Sequence, residues 1–102
     1  MPKLEIKIPH ELTQTEALNR IQQFLPDLKA QHSDRISNLE ESWSGSTGQF
    51  KFKIKGFKIS GSLFVENNFV LINGEIPFLA APFKGTIEET IKTKATELLG
   101  VK

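Results

Sequence analysis

Between Phe50 and Ile76 the chain reads as three antiparallel strands joined by two tight turns, and those turns decide which side chains can share a face. Lys55-Gly56 is placed to turn the first hairpin and Asn67-Asn68 the second, because Gly and Asn tolerate positive φ. The resulting register pairs Ile54 with Phe57, Phe52 with Ile59, Val65 with Val70 and Leu63 with Ile72. Side chains alternate across a strand, so all eight fall on one face, together with Phe50, Gly61, Gly74 and Ile76. That face is a core. The opposite face carries Lys51, Lys53, Lys55 and Lys58 at one end and Phe64, Phe69 and Leu71 at the other.

The flanking segments supply what covers this core. Leu4 to Ile8 alternates apolar and polar residues, which predicts a half-buried first strand ended by Pro9. Thr13 and Glu16 form a capping box that opens a helix. Its apolar stripe is Ala17, Leu18, Ile21, Phe24, Leu25 and Leu28. Pro26 lies within that stripe, so the helix either kinks there or restarts with Pro26 in a new first turn, and helical character runs to about Gln31. Ile36 to Trp43 reads as a strand with Leu39, Glu41 and Trp43 on one face, and an inward Glu41 marks an edge or a pocket rim. Ser44 to Gly48 is a turn by composition.

After Ile76 the connection Pro77 to Phe83 is unusually apolar and is expected to fold onto the open end of the core. Thr86 and Glu89 offer a second capping box. Ile87, Ile91, Ala95, Leu98 and Leu99 make the buried stripe of a last helix that Gly100 ends. The expectation is an α+β fold of order β-α-β-β-β-β-α, a mainly antiparallel five-stranded sheet with two helices packed on one face. With 102 residues the chain forms a single domain spanning positions 1–102.

Composition excludes several kinds of function. The net charge of +1 provides no global field to steer the protein towards nucleic acid. The absence of cysteine removes disulfides and thiolate metal sites, and fits a cytoplasmic location. Met1 is followed by Pro2-Lys3-Leu4-Glu5 and not by an apolar signal core, and no apolar run reaches membrane-spanning length. No HExxH, Walker A or G-x-S-x-G motif occurs. His10 and His32 lack a metal-binding spacing, so neither a metal nor a cofactor is expected. His10, at the strand-to-helix corner, reads as a structural hydrogen-bonding residue. Glu40 and Glu41 point to opposite strand faces, and Glu66 and Glu75 lie far apart along their hairpin, so no acid/base pair forms. A non-enzymatic protein is expected.

Three surfaces remain as candidates. Phe64, Phe69 and Leu71 form an apolar patch that meets either a partner or a chain segment folded over it. Glu41, Trp43, Phe78 and Phe83 could line a pocket for an acyl chain or hydroxyacid between helices and sheet. Lys51, Lys53, Lys55 and Lys58 could bind an anionic polymer, although no aromatic residues interleave them for base stacking and a solvated face is the simpler account.

Several segments in order resemble one bacterial family: Ile8-Pro9-His10-Glu11-Leu12 with Thr15-Glu16-Ala17; Trp43 to Phe50; Gly56 to Gly61; Pro77-Phe78; and Pro82-Phe83-Lys84-Gly85 with Ile87-Glu88. This pattern is similar to the polyhydroxyalkanoic acid system family, small proteins of polyhydroxyalkanoate granule regions. The resemblance implies a context and no reaction, since its matched positions are mostly Gly, Pro and aromatic residues that suit turns and packing. Trp43 and Phe50 read as anchors of the Gly-rich turn between them. The leading expectation is an accessory protein of polyhydroxyalkanoate metabolism that meets a granule surface, a granule-associated protein or a second copy of itself through Phe64, Phe69 and Leu71. The alternative is a small hydrophobic-ligand binding module.

Overall fold

Alternating strands and short turns build a five-stranded antiparallel sheet in a computed structural model that describes residues 3–100. The elements are β1 (Lys3–Pro9), α1 (Gln14–Ile21), α2 (Phe24–Gln31), β2 (Ile36–Ser44), β3 (Thr47–Ile54), β4 (Phe57–Val65), β5 (Phe69–Glu75), a 3-10 segment (Phe78–Phe83) and α3 (Lys84–Leu99). Strand order is β1-β5-β4-β3-β2, so α1 and α2 carry the chain from one edge of the sheet to the other. The order and class are those expected, with the first helix in two pieces.

The hairpin register matches the expectation at every pair: Ile54 opposite Phe57, Phe52 opposite Ile59, Leu63 opposite Ile72 and Val65 opposite Val70. Lys55 and Gly56 both have positive φ, +51° and +84°, as a type I′ turn requires. The Asn67-Asn68 turn reaches the same register differently. Neither Asn adopts positive φ; the turn is closed by the Glu66 N–H donating to the Phe69 carbonyl at 2.9 Å. The left-handed Asn is instead Asn38, at φ +55°, where a bulge between Ser37 and Glu40 shifts the β2 register. An Asn at such a bulge costs less than most residues would.

At the sheet centre the backbones of β4 and β5 approach too closely for a side chain. A Cβ on Gly61 would run into the Asn73 carbonyl oxygen and would sit 2.9 Å from the Phe50 ring. Gly61 therefore lets Phe50 lie across β4 beneath the helices.

The Glu16 N–H donates to Thr13 Oγ1 at 3.1 Å and caps α1. Pro26 occupies the first turn of α2, where its missing N–H leaves no helical bond unmade, so helix one is broken and not merely bent. The second expected capping box does not form. α3 begins two residues before Thr86, and Thr90 Oγ1 donates back to the Thr86 carbonyl. Gly100 ends α3 in the left-handed conformation at φ +71°. Ala17, Ile21, Phe24, Leu25 and Leu28 from α1 and α2, and Ile91, Ala95 and Leu99 from α3, close one core against Leu4, Ile6, Ile8, Phe50, Phe52, Ile59, Leu63 and Ile72. Arg20 of α1 donates to the Leu98 carbonyl at 3.3 Å, and Lys94 of α3, 11% exposed at the side chain, lies 3.8 Å from Asp27 of α2. All helices stay on one face.

Candidate functional site

Where the β3–β4 hairpin turns, the helices stop short of sealing the sheet. The 3-10 segment does not close this end: the Ala80 N–H bonds back to the Pro77 carbonyl, and Pro82 lies within the segment. Only Ala80 of the segment is buried. The expectation that Pro77 to Phe83 folds onto the core thus fails for its largest side chains, since Phe78 is 78% and Leu79 77% exposed. Phe83, 55% exposed, leans on Phe57 with ring centroids 6.5 Å apart. The gap left is a cleft of about 240 Å³. Buried Leu28, Ile36, Phe52, Ile59 and Ile91 form its floor, while the partly or fully exposed Phe57, Phe83, His32, Arg35 and Lys55 form its mouth.

The helix-free face of the sheet is mostly polar. One row across the strands runs Lys3, Glu75, Ser60, Lys51, Glu40, and the next runs Glu5, Asn73, Ser62, Gln49, Ser42. Between these rows lies an open groove of about 840 Å³. Further along, Phe64 pairs with Leu71, and Lys7 sets its Nζ 4.4 Å from the Phe69 ring centroid. Phe64, Phe69 and Leu71 therefore come together away from the helices, as the alternation requires, but each is partly buried.

The four lysines separate by environment. Lys51 lies 3.7 Å from Glu40, Lys53 stands opposite Lys58, and Lys55 sits in the turn at the mouth of the cleft. The expected pocket group also divides. Trp43 covers Gly48, where a Cβ would come within 2.8 Å of the indole, and its Nε1–H donates to Glu41 at 3.1 Å. Both belong to the β2 edge, whereas Phe83 lines the cleft and Phe78 points outward from the 3-10 segment. Trp43 thus anchors the Gly-rich turn.

His10 does what its corner position requires. It is 6% exposed; its Nδ1 accepts the Leu12 N–H at 3.1 Å, which leaves Nε2–H to donate to the Glu66 carbonyl at 3.1 Å. Among the described residues no group of three or more His, Asp or Glu side chains gathers to hold a metal. Among the same residues no helix is long and apolar enough to cross a membrane. Sequence reading missed Arg35, His32 and Ile87 as cleft residues. The available signal was slight: Arg35 precedes Ile36 and Lys55 follows Ile54, the two apolar residues that pair at this end of β2 and β3.

No curated protein matches the chain. Among solved structures it is similar to the crystal structure of TTHA0849 from Thermus thermophilus, with 9% sequence identity and a TM-score of 0.49 over 96% of this chain and 97% of that one. A family model matches residues 4–99, nearly the whole described fold, and the chain belongs to that family, described as "putative polyhydroxyalkanoic acid system protein".

Proposed function

We propose that this chain is a non-enzymatic, cytoplasmic accessory protein of polyhydroxyalkanoate metabolism that meets the apolar granule surface through Phe78 and Leu79. The observation that carries this reading is the exposure of both adjacent side chains, 78% and 77%, on a short segment that the fold leaves outside its core. Large apolar side chains kept in water cost solvation free energy, and seating each against apolar material recovers roughly 1.5–3 kcal/mol. The sheet patch Phe64, Phe69 and Leu71 offers less, because its members are already half-buried and Lys7 spans one of them. The family description supports the polymer context, and the exposed pair supports this mode of contact.

Co-sedimentation with purified polyhydroxyalkanoate granules at low and high salt tests the reading. Binding should persist at high salt, and Phe78→Ser with Leu79→Ser should weaken it by about tenfold or more. The pair Phe64→Ser and Phe69→Ser should leave it nearly intact. Binding that survives the Phe78/Leu79 change but not the Phe64/Phe69 change would move the contact to the sheet. Binding lost on adding salt would move it to the lysines. A granule-associated protein or a second copy of the chain as the true partner would show as no sedimentation with protein-free polymer.

A further inference from the structure

We infer that the cleft at the foot of α3 is a binding site for a medium-length aliphatic carboxylate, with the alkyl chain on the apolar floor and the carboxylate at Arg35 and Lys55. This goes beyond the proposed granule contact and does not depend on it. The cleft's shape and its charge point the same way.

The volume of about 240 Å³ would hold roughly eight groups of the ~30 Å³ that a water occupies in the liquid, and a methylene is of that size. The floor is wholly aliphatic and aromatic, so it has nothing to offer a polar body. The polar side chains lining the cleft are Thr86, Thr90, His32, Arg35 and Lys55, and among the described residues no acidic one lines it. Thr90 already spends its hydroxyl hydrogen on the Thr86 carbonyl.

Arg35 and Lys55 are little engaged within the fold. Lys55 makes no ion pair among the described residues. Arg35 has only its chain neighbour Asp34 among them, with Nε 3.8 Å from the carboxylate and both side chains more than half exposed. An exposed pair of that length is weak and leaves most of the guanidinium donors unused. The two residues are also tied to each other: the Lys55 N–H donates to the Arg35 carbonyl at 3.2 Å, which fixes the β3–β4 turn against the start of β2. A carboxylate held between them would receive charge-assisted hydrogen bonds from both sides while its tail enters beside Phe57 and Phe83.

Decanoate, below its micelle concentration, is the probe, read by amide shift changes in ¹⁵N-labelled protein. It should perturb the amides of Lys55, Phe57, Ile87 and Thr90 in a saturable way, and leave those of Glu41 and Trp43 unmoved. The variant carrying Arg35→Gln and Lys55→Gln, both exposed positions, should bind decanoate about five- to tenfold more weakly. 1-Decanol, which keeps the tail and lacks the charge, should bind unmodified protein and variant alike. Acetate, which keeps the charge and lacks the tail, should not saturate. Failure of decanoate to move the cleft amides, or shifts centred elsewhere, would overturn the site. Equal decanoate affinity in variant and unmodified protein would overturn the head-group assignment. Neither result would touch Phe78 and Leu79, which line no part of the cleft.

Discussion

The two ends of the sheet are closed by different physics. At the β4–β5 turn, side chains reach across elements to backbone groups, His10 Nε2 to the Glu66 carbonyl and Gln14 Nε2 to the Val65 carbonyl at 2.9 Å, while the Leu12 N–H donates locally to His10 Nδ1. The β2–β3 turn joins them through the Val65 N–H and the Ser46 carbonyl. At the β3–β4 turn the Lys55 N–H bonds to the Arg35 carbonyl, and the side chains lining the cleft there are mostly apolar, with two cations and no acidic group among the described residues. One end spends its polar groups on the fold. The other keeps apolar surface and positive charge uncommitted, and uncommitted groups are what a ligand or surface can use.

The largest effect should come from breaking the closed end. Replacing His10 with Ala strands the Leu12 N–H and removes the donor to the Glu66 carbonyl, in a site only 6% exposed. Two lost hydrogen bonds with a small void should lower stability by about 2–3 kcal/mol, measured by urea unfolding. A cost below ~1 kcal/mol would mean that this end is no better closed than the other.

The open end should respond in the opposite manner. Phe83, 55% exposed and touching Phe57 at its edge, contributes little burial. Phe83→Ala should therefore change stability by less than about 1 kcal/mol in the same unfolding experiment, yet weaken decanoate binding by removing one side of the cleft mouth. A loss of about 2 kcal/mol or more would show that the ring is a structural lid, and the contrast between the ends would disappear.

How much of this contrast the sequence held follows from how local each feature is. The register from Phe50 to Ile76 was legible because a two-residue turn and a period of two fix it without reference to anything distant. That Phe64, Phe69 and Leu71 gather on the helix-free face followed from the same rule, whereas their partial burial did not. His10 could be placed at a corner, but its acceptor lies 56 residues away on Glu66, and no local pattern names it. The cleft was illegible for a related reason. Its lining comes from α2, the start of β2, the β3–β4 hairpin, the 3-10 segment and the first turns of α3, which lie far apart in the chain. Apolar composition alone predicted that Pro77 to Phe83 would be buried, but the segment winds into a 3-10 turn that buries Ala80 and leaves Phe78 and Leu79 exposed. The Asn67-Asn68 turn keeps the predicted register without positive φ, and its flanking Glu66 carbonyl carries the His10 bond that no local pattern announces.

The smallest predicted effect lies in the open-end turn itself. Lys55 holds φ +51°, a left-handed conformation that an ordinary side chain adopts at a cost and that Asn adopts more readily. Lys55→Asn should thus relieve the first position of the I′ turn and raise stability by about 0.5–1 kcal/mol, seen as a higher urea midpoint with an unchanged slope. The same substitution removes one of the two cations at the cleft mouth, so decanoate affinity should fall while the fold grows more stable. Those opposite signs separate a residue retained for its charge from one retained for its turn. If Lys55→Asn stabilises and leaves decanoate affinity untouched, the strain at position 55 has no counterpart in binding, and Arg35 alone would have to hold the head group.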